Sequence, residues 1–150
     1  MLYEKFMRQA LKEAEKAYKK DEVPVGTVIV YNNKIIARAH NLIKTKKDPT
    51  AHAEILAIKK AAKKLNNERL IDTSLYVTLE PCAMCVGAII LARIKNLIFG
   101  ASDPKTGACG SVFDIINSKK NNHRVNVTSD VLKNKCAEII KKFFKSKRQK

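Results

Sequence analysis

Residues 75–85 read LYVTLEPCAMC, an apolar run that ends in a proline and two cysteines three positions apart. The apolar run at 75–79 is typical of a short buried strand. Pro81 favours the start of a helix, because the first helical turn does not need the amide proton that proline lacks. The helix predicted from Pro81 to Ala92 is apolar nearly all round, so it is either buried or shared with a partner subunit. This stretch therefore predicts a strand that leads directly into a helix with both cysteines in its first turn.

Outward from this unit, hydrophobic periodicity predicts the remaining secondary structure. Further helices are predicted at residues 2–20, from after Thr50 to Leu65, at 110–117, and from Ser129 into the basic tail. Further strands are predicted at residues 25–31, 34–39, 96–101 and 124–127. The first two strands should form a hairpin, since Asn32 and Asn33 tolerate the positive φ of a tight turn. The order of elements predicts a three-layer α/β/α protein, in which a central mixed five-stranded sheet carries helices on both faces.

The length and the apolar pattern limit the class of protein. At 150 residues and 16.8 kDa, residues 1–150 are expected to form one domain whose core needs no disulfides. Glu4, Lys5 and Arg8 interrupt the first apolar residues, so no secretory signal is expected. The longest apolar run, at 83–92, is far too short to span a membrane. We therefore expect a cytoplasmic protein, in which paired cysteines are more often metal ligands or redox groups than disulfides.

The charge of the chain is strongly positive. Lysine and arginine total 30 against 14 acidic residues, which gives a formal net charge of +16. Lysines on solvated helix faces would account for this excess through solubility alone. A polyanionic partner, attracted by the summed field of the cations, would account for it equally well.

The two cysteines have the spacing of a metal site. Cys82 and Cys85 lie one helical turn apart, so both sulfurs can point at one ion, and the positive end of the helix dipole favours their thiolate forms. A structural zinc ion takes four protein ligands, whereas a catalytic one takes three and leaves a position for water. His52, at the start of the preceding helix, is the candidate third ligand. Glu54 follows two residues later, and positions i and i+2 do not share a helix face. We therefore predict that His52, Cys82 and Cys85 bind zinc, while Glu54 is the catalytic proton carrier and not a ligand.

A three-ligand zinc site predicts hydrolysis, above all the replacement of an exocyclic amine on a nucleobase by oxygen. Zinc can lower the pKa of its water to about 7, and a neighbouring glutamate can pass protons to a ring nitrogen and to the departing ammonia. Alone, Cys-x-x-Cys is just as typical of a redox pair, and a non-catalytic zinc module could use Cys109 or His123 as a fourth ligand. The combination of His-x-Glu with Pro-Cys-x-x-Cys is the signature of the zinc-dependent deaminases.

Over nearly its whole length the sequence resembles the bacterial tRNA-specific adenosine deaminases, a branch of the cytidine deaminase superfamily. The pieces that carry the resemblance are EVPVG at 22–26, DPTAHAEI at 48–55, LYVTLEPCAMCVGAI at 75–89, FGASDPKTG at 99–107, NHRV at 122–125, and FF at 143–144 with the basic tail that follows. TAHAE and EPCAMC recur throughout the superfamily, so they indicate the chemistry and not the substrate. The later pieces favour tRNA.

The resemblance implies a fold, a substrate and an assembly. It implies a cytidine deaminase-like fold, one zinc ion per subunit, and a homodimer that binds the anticodon stem-loop of tRNA near the subunit boundary. The reaction would convert adenosine to inosine at the first anticodon position. A loop base is already largely unpaired, which reduces the cost of a few kcal/mol that extraction from a duplex would require. A small-molecule deaminase that acts on guanine or cytosine is the alternative with the same chemistry.

The resemblance also implies roles for six residues in substrate binding. They are Asn41, Ala53, Asp103, Lys105, Phe144 and Arg148. The amide of Asn41 offers a donor and an acceptor side by side, which suits a purine edge. An aromatic on the last helix can stack on a loop base, and an arginine there can hold a phosphate. From the residues alone, the preferred interpretation of Asn41 is a loop residue that bonds its own backbone. Either Phe143 or Phe144 must anchor the last helix to the core.

Overall fold

The computed structural model describes residues 2–148 of the chain. Its helices are α1 (Leu2–Lys19), α2 (Ile43–Lys46), α3 (Ala53–Leu65), α4 (Ala83–Leu91) and α5 (Lys133–Arg148). Its strands are β1 (Gly26–Tyr31), β2 (Lys34–His40), β3 (Ser74–Leu79), β4 (Asn96–Ala101) and β5 (Asn126–Thr128). Within the described residues, none of these helices is both long enough and apolar enough to cross a membrane.

The strands form one mixed sheet in the order β2-β1-β3-β4-β5. Strand β1 pairs antiparallel with β2 and with β3, whereas β4 pairs parallel with both β3 and β5. Side chains alternate between the two faces of a strand, so Val28 packs under α1 and α5 while its neighbour Ile29 packs under α3 and α4. The predicted three-layer α/β/α fold with a mixed five-stranded sheet is therefore confirmed.

The hairpin between β1 and β2 has the predicted turn. Asn32 and Asn33 adopt φ values of 50° and 61°, in the left-handed region that asparagine tolerates. The register shifts between Ile29 and Val30, which marks a bulge in the pairing with β2. This hairpin makes β2 the edge strand of the sheet, next to the segment that leads into the site.

The helix predicted at 110–117 is wrong. Residues 102–125 form an irregular connection between β4 and β5, with isolated bridges between Cys82 and Gly107 and between Cys109 and Asp114. The amides of Ile115 and Ile116, which a helix would pair with carbonyls four positions earlier, donate instead to the carbonyl of Ala108. The sequence also failed to predict the short helix α2, which lies between β2 and α3.

Several predicted boundaries shift by a few residues. Helix α3 begins at Ala53, because the Asp48 carboxylate closes a local turn by accepting the amide and hydroxyl protons of Thr50. The third predicted helix, α4, begins at Ala83, with Cys82 as its N-cap residue. At the C-terminal end, β5 is Asn126–Thr128 and α5 begins at Lys133, not at Ser129.

Candidate active site

The N-termini of α3 and α4 meet on one face of the sheet. The residue that precedes each helix is extended: His52 has φ −73° and ψ 149°, and Cys82 has φ −78° and ψ 176°. Cys85 follows in the first turn of α4 and is fully buried. An extended N-cap residue projects its side chain beyond the helix end. The structure therefore brings the imidazole of His52 to two thiols that lie 30 and 33 residues later in the sequence.

The three side chains have the geometry of a metal-binding cluster. His52 Nδ1 lies 3.7 Å from Cys82 Sγ and 3.5 Å from Cys85 Sγ, and all three ligand atoms lie within 4.8 Å of one another. Tetrahedral zinc, with Zn–N near 2.0 Å and Zn–S near 2.3 Å, requires separations of about 3.5–3.8 Å. In residues 2–148 this group contains no fourth metal-ligating side chain. The cluster therefore fits one ion with an open coordination position.

Hydrogen bonds within the His52, Cys82 and Cys85 cluster favour the thiolate form of Cys82. A hydrogen bond from the Cys85 thiol, together with one from His52, lowers the pKa of Cys82 to about 4. The same sulfur–sulfur contact raises the pKa of Cys85, because Cys85 holds the shared proton. The hydrogen bond to Cys82 raises the pKa of His52. The cluster therefore favours the thiolate form of Cys82, and a bound cation would favour loss of the proton from Cys85 as well.

Glu54 lies in the same pocket but outside the three-ligand group. Only 4% of the residue is exposed, and burial raises the pKa of its carboxyl to about 7. His52, Cys82 and Cys85 are its nearest titratable neighbours. A carboxyl group in this position can both accept and release a proton close to the metal cluster.

The pocket is a cavity of about 190 Å³ at the end of the sheet. Its apolar walls come from Val23, Val25, Ile43 and Leu79. Its polar lining comes from Asn41, His52, Glu54, Glu80, Cys82, Asp103 and Thr106. An apolar slot with polar groups at fixed positions suits a flat heteroaromatic ring.

Asn41 is more constrained than the sequence suggested. Its Oδ1 accepts the amide proton of Ala53 at 2.8 Å, and the residue is only 6% exposed. Asn41 also lines the pocket, and because its oxygen is engaged, its NH2 group is the part of the side chain that can donate to a ligand. Ala53 is fully buried and orients the asparagine through its own N–H.

Asp103 lies in the wall of the pocket at the start of the loop after β4. Its carboxylate accepts the amide protons of Lys105 and Thr106 and the hydroxyl proton of Thr106, which closes the turn. Lys105 is exposed at the tip of this turn. The turn thus places the Asp103 carboxylate in the wall of the pocket and the Lys105 ammonium group outside it.

A cationic groove continues from the pocket to α5. A cavity of about 330 Å³, lined by Leu79, Asp103 and Phe144 among others, adjoins a second cavity of about 400 Å³. The second cavity, which we call the α5 groove, is lined by Lys105, Ile140, Lys141, Phe144, Lys147 and Arg148. The four cations in this set belong to the loop after β4 and to α5.

The two phenylalanines of α5 have different environments. Phe143 is buried, and its ring lies 5.9 Å from that of Tyr18 in an edge arrangement. Phe144 is 43% exposed and lines the α5 groove. Phe143 therefore anchors the helix, which leaves Phe144 free to contact a ligand.

Other cysteines and histidines lie away from the three-ligand group. Cys136 is buried in the core between α5 and the sheet. His123 hydrogen-bonds the carbonyl of Ile94 at 2.8 Å, and His40 lies between Glu13 and Lys20. Cys109 is half-buried beside the pocket wall, and burial raises the pKa of its thiol to about 12.

Two buried carboxylates that support the pocket were missed by the sequence analysis. Glu22 accepts the amide protons of Lys44 and Thr45, so it caps α2 directly after Asn41. Burial alone would raise the pKa of Glu22, but these hydrogen bonds outweigh it and lower the pKa. Glu80 accepts three backbone N–H groups and a hydroxyl from the 103–111 loop. Glu22 is the first residue of EVPVG and Glu80 is the first residue of EPCAMC. The hydrogen-bond partners of each acid lie more than 20 residues away in sequence, so neither role could be read from local spacing.

Glu80→Gln should destabilise the fold and loosen the loop that forms one wall of the pocket. A glutamine has a single acceptor oxygen, and its NH2 group would face donors such as the amides of Cys109 and Ser111. A buried unsatisfied donor costs about 1–3 kcal/mol, which corresponds to a fall in Tm of roughly 2–12 °C for a chain of this size. Thermal unfolding measures this, with the exposed Glu68→Gln as a matched control. An unchanged Tm would show that the loop holds itself in place.

The fold and the arrangement of the site together define the class of protein. A three-layer α/β/α protein with His-x-Glu and Pro-Cys-x-x-Cys at two converging helix N-termini has the arrangement of the zinc-dependent nucleobase deaminases. Residues 1–148 match the family model described as MafB19-like deaminase.

Relatives of known function and of known structure identify the family of deaminases to which the chain belongs. The chain is 47% identical over 147 residues to a tRNA-specific adenosine deaminase of Bacillus subtilis, which covers 98% of this chain and 91% of that protein. It is 50% identical over 147 residues to a tRNA-specific adenosine deaminase of Haemophilus influenzae, which covers 97% and 85%. A structure solved in a study of A-to-I editing by tRNA:A34 deaminases superposes with a TM-score of 0.86 at 46% identity, covering 89% of this chain and 97% of that one. The chain belongs to the family of tRNA-specific adenosine deaminases, and its fold is the cytidine deaminase-like one.

Proposed function

We propose that this protein is a cytoplasmic zinc enzyme that hydrolytically deaminates adenosine to inosine at the first anticodon position of tRNA, with residues 1–150 acting as one domain. One observation carries the proposal: a three-ligand metal cluster and the proton carrier Glu54 share a small pocket, and that pocket opens into a cationic groove. The relatives that act on tRNA adenosine support the choice of substrate.

His52, Cys82 and Cys85 would hold the metal ion. Two thiolates and a neutral imidazole are the donor set that zinc prefers, and the ligand separations in this cluster match it. When bound with one open position, zinc supplies an activated water whose pKa is about 7. Cys109 and His123, which could have closed the site as a fourth ligand, lie outside the group of ligand atoms found in residues 2–148.

Glu54 would move the protons of the reaction. Deamination adds the elements of water across the C6–N bond of adenine and releases ammonia, so one proton must reach the ring nitrogen and another the departing amine. Glu80 and Asp103, the other carboxylates of the pocket, are held by amides of the loop after β4. Glu54 hydrogen-bonds its own backbone amide and the Cys85 thiol, which keeps its carboxyl group beside the metal cluster. A single carboxyl beside both the water and the base can carry each proton in turn.

Asn41 and the apolar walls would orient the base. The NH2 group of Asn41 is held by the bond from Ala53 to its Oδ1, so it presents donors at a fixed position to an acceptor on the base edge. Val25 and Leu79 provide apolar surface for the ring. Asp103 would meet the ribose at the mouth of the pocket.

The α5 groove would hold the RNA that flanks the target base. The ring of Phe144 is exposed there and can stack on an unpaired base, a contact worth about 1–3 kcal/mol. Lys105 and Arg148 line the same groove and can neutralise phosphates of the anticodon loop. Lys147 is already paired with Asp21, so it helps to fix α5.

The exposed face of α4 supports a homodimer. Leu91 is 79% exposed and Met84 is also exposed on this short helix, although both are apolar. Val112 and Phe113, in the loop after β4, are exposed too. Apolar surface of this kind favours association with a second copy of the chain, which would place the subunit boundary near the metal ligands on α4.

Incubation with a bulk tRNA pool, followed by sequencing for A-to-I changes, tests substrate, base and reaction together. The expected result is inosine at the first anticodon position of those tRNAs that carry adenosine there. An unmodified tRNA pool, combined with release of ammonia from free guanine or cytosine, would favour a small-molecule deaminase instead.

The salt dependence of substrate binding separates the same two functions. If about six phosphates of a single-stranded loop are contacted, the logarithm of the affinity should fall with the logarithm of the salt concentration at a slope of about −4. A free base carries no phosphate, so its affinity should not depend on salt in this way. Filter binding or fluorescence anisotropy with tRNA over a salt series measures the slope. An affinity for tRNA that does not change with salt concentration would show that the α5 groove does not bind the phosphates of the substrate.

A further inference from the structure

A second cationic surface lies on the opposite flank of the pocket. It is a cavity of about 570 Å³ at the edge strand β2, between α1 and α3, and we call it the β2 cavity. Its six cationic side chains are all exposed, and they are Lys16, Lys20, Arg38, Lys46, Lys59 and Lys60. The acidic residue in its lining is Glu13, which is buried beneath them.

Glu13 and His40 orient two of these lysines from below. Lys16 Nζ donates to the Glu13 carboxylate at 2.7 Å, and His40 Nδ1 lies 3.3 Å from the same carboxylate. Lys20 Nζ lies 3.1 Å from His40 Nε2. An ammonium group can only donate, so Nε2 is the acceptor and Nδ1 carries the proton that is donated to Glu13. His40 is therefore neutral, and it transmits the orientation of a buried carboxylate to Lys20 without cancelling the charge of that lysine.

Two more cations are held by neutral groups. Lys60 Nζ donates to the backbone carbonyl of Arg38 at 2.7 Å, and the Arg38 guanidinium donates to Gln9 Oε1 at 2.9 Å. Among the salt bridges within residues 2–148, Lys16 is the single cation of the β2 cavity that pairs with a carboxylate. The remaining cations repel one another, and a cluster of this kind attracts a polyanion.

The β2 cavity and the pocket share one wall. Along the segment from His40 to Lys46, Asn41 and Ile43 line the pocket, whereas His40, Leu42 and Lys46 line the cavity. The pocket and the β2 cavity therefore lie on opposite sides of this one segment of the chain. The α5 groove leaves the pocket on the other side, through Asp103.

We propose that the β2 cavity binds the phosphate backbone of the same RNA whose target base enters the pocket, so that the substrate is held on two flanks. This inference rests on the proposed tRNA substrate. Charge complementarity favours a nucleic acid, because five cations that form no salt bridge within residues 2–148 surround one space beside the base-binding segment. The ligand class is a phosphodiester backbone, which the cations would bind without reading its sequence.

The test compares two triple variants with the same change of charge. Lys20, Lys46 and Lys59 are replaced by glutamine in the β2 cavity variant. Lys63, Lys95 and Lys119, which are exposed and lie outside both cationic surfaces, are replaced by glutamine in the control. Labelled tRNA is titrated with each protein over a series of salt concentrations. Loss of three phosphate contacts should make the slope of log affinity against log salt less steep by about 2, and should weaken binding on the order of 100-fold at 0.1 M salt.

Two further measurements make the result decisive. Replacement of the same three lysines by arginine keeps the charge, so it should keep the wild-type slope. Inosine formation is measured in the same samples, and its absence with wild-type protein would count against the proposed function alone. Equal slopes for the β2 cavity variant and the control would overturn this inference, and would leave an acidic protein partner or simple solubility as the role of these lysines.

Discussion

Glu54→Gln should lower the rate of tRNA deamination by a factor of about 10²–10⁴ and leave the metal content unchanged. Glutamine has nearly the same shape as glutamate, so it fits the buried site, but it can neither accept nor release the protons that the reaction moves. The metal should be retained because the ligand group consists of His52, Cys82 and Cys85. Inosine formation under single-turnover conditions and metal analysis after dialysis measure the two effects separately.

The matched control is Glu68→Gln, which removes the same charge from an exposed position after α3. It should affect neither rate nor metal content. Loss of metal from the Glu54 variant would show that this carboxylate is a ligand. A rate within a few fold of wild type would show that another group carries the protons. In either case the assignment of Glu54 as a proton carrier outside the ligand group would be wrong.

The parts of the site that the sequence predicted are those encoded by local spacing. The hairpin at Asn32 and Asn33 and the strand that leads into EPCAMC each depend on a few consecutive residues. Pro81 and the apolar run after it mark the start of α4 to within two residues. A ligand at an N-cap and another in the first turn of the same helix follow directly from that start.

The parts that the sequence did not predict depend on contacts between distant residues. The 110–117 segment has apolar residues at helical spacing, but Glu80, about 30 residues earlier, fixes this loop through the amides of Cys109 and Ser111. The amides of Ile115 and Ile116 then donate to the carbonyl of Ala108 and not to carbonyls four positions earlier. Tertiary context of this kind overrides the local helical pattern. Similarly, periodicity alone could not decide between Phe143 and Phe144, and only the packing of α5 on Tyr18 shows which one is buried.

The excess of positive charge is the clearest case of information that only the fold supplies. Lys20 and Lys59 are almost 40 residues apart in sequence, yet both line the β2 cavity. The net charge of +16 could not distinguish scattered solvated lysines from a binding surface. The structure separates part of this charge into two surfaces, the α5 groove and the β2 cavity, on either side of one pocket.

Cys85→Ser should abolish both metal binding and deamination, whereas Cys109→Ser should preserve both. A serine hydroxyl does not ionise near neutral pH and is a poor ligand for zinc compared with a thiolate. Loss of groups that merely support a ligand lowers metal affinity by about 10–100-fold, so loss of the buried Cys85 ligand itself should exceed about 100-fold. Competition with a chelator measures the affinity, and inosine formation in tRNA measures the activity.

The comparison with Cys109 separates a catalytic site from a closed structural one. Cys109 contributes its backbone amide to Glu80, and serine keeps that bond, so Cys109→Ser should fold normally. If Cys109→Ser also loses its metal, four protein ligands surround the ion and no position is left for water, which excludes the proposed hydrolysis. If chelation lowers the Tm of the wild type and of Cys109→Ser but not that of Cys85→Ser, the metal depends on Cys85 and stabilises the folded state, as linkage requires. The stability data would then exclude Cys109 as a fourth ligand independently of the activity.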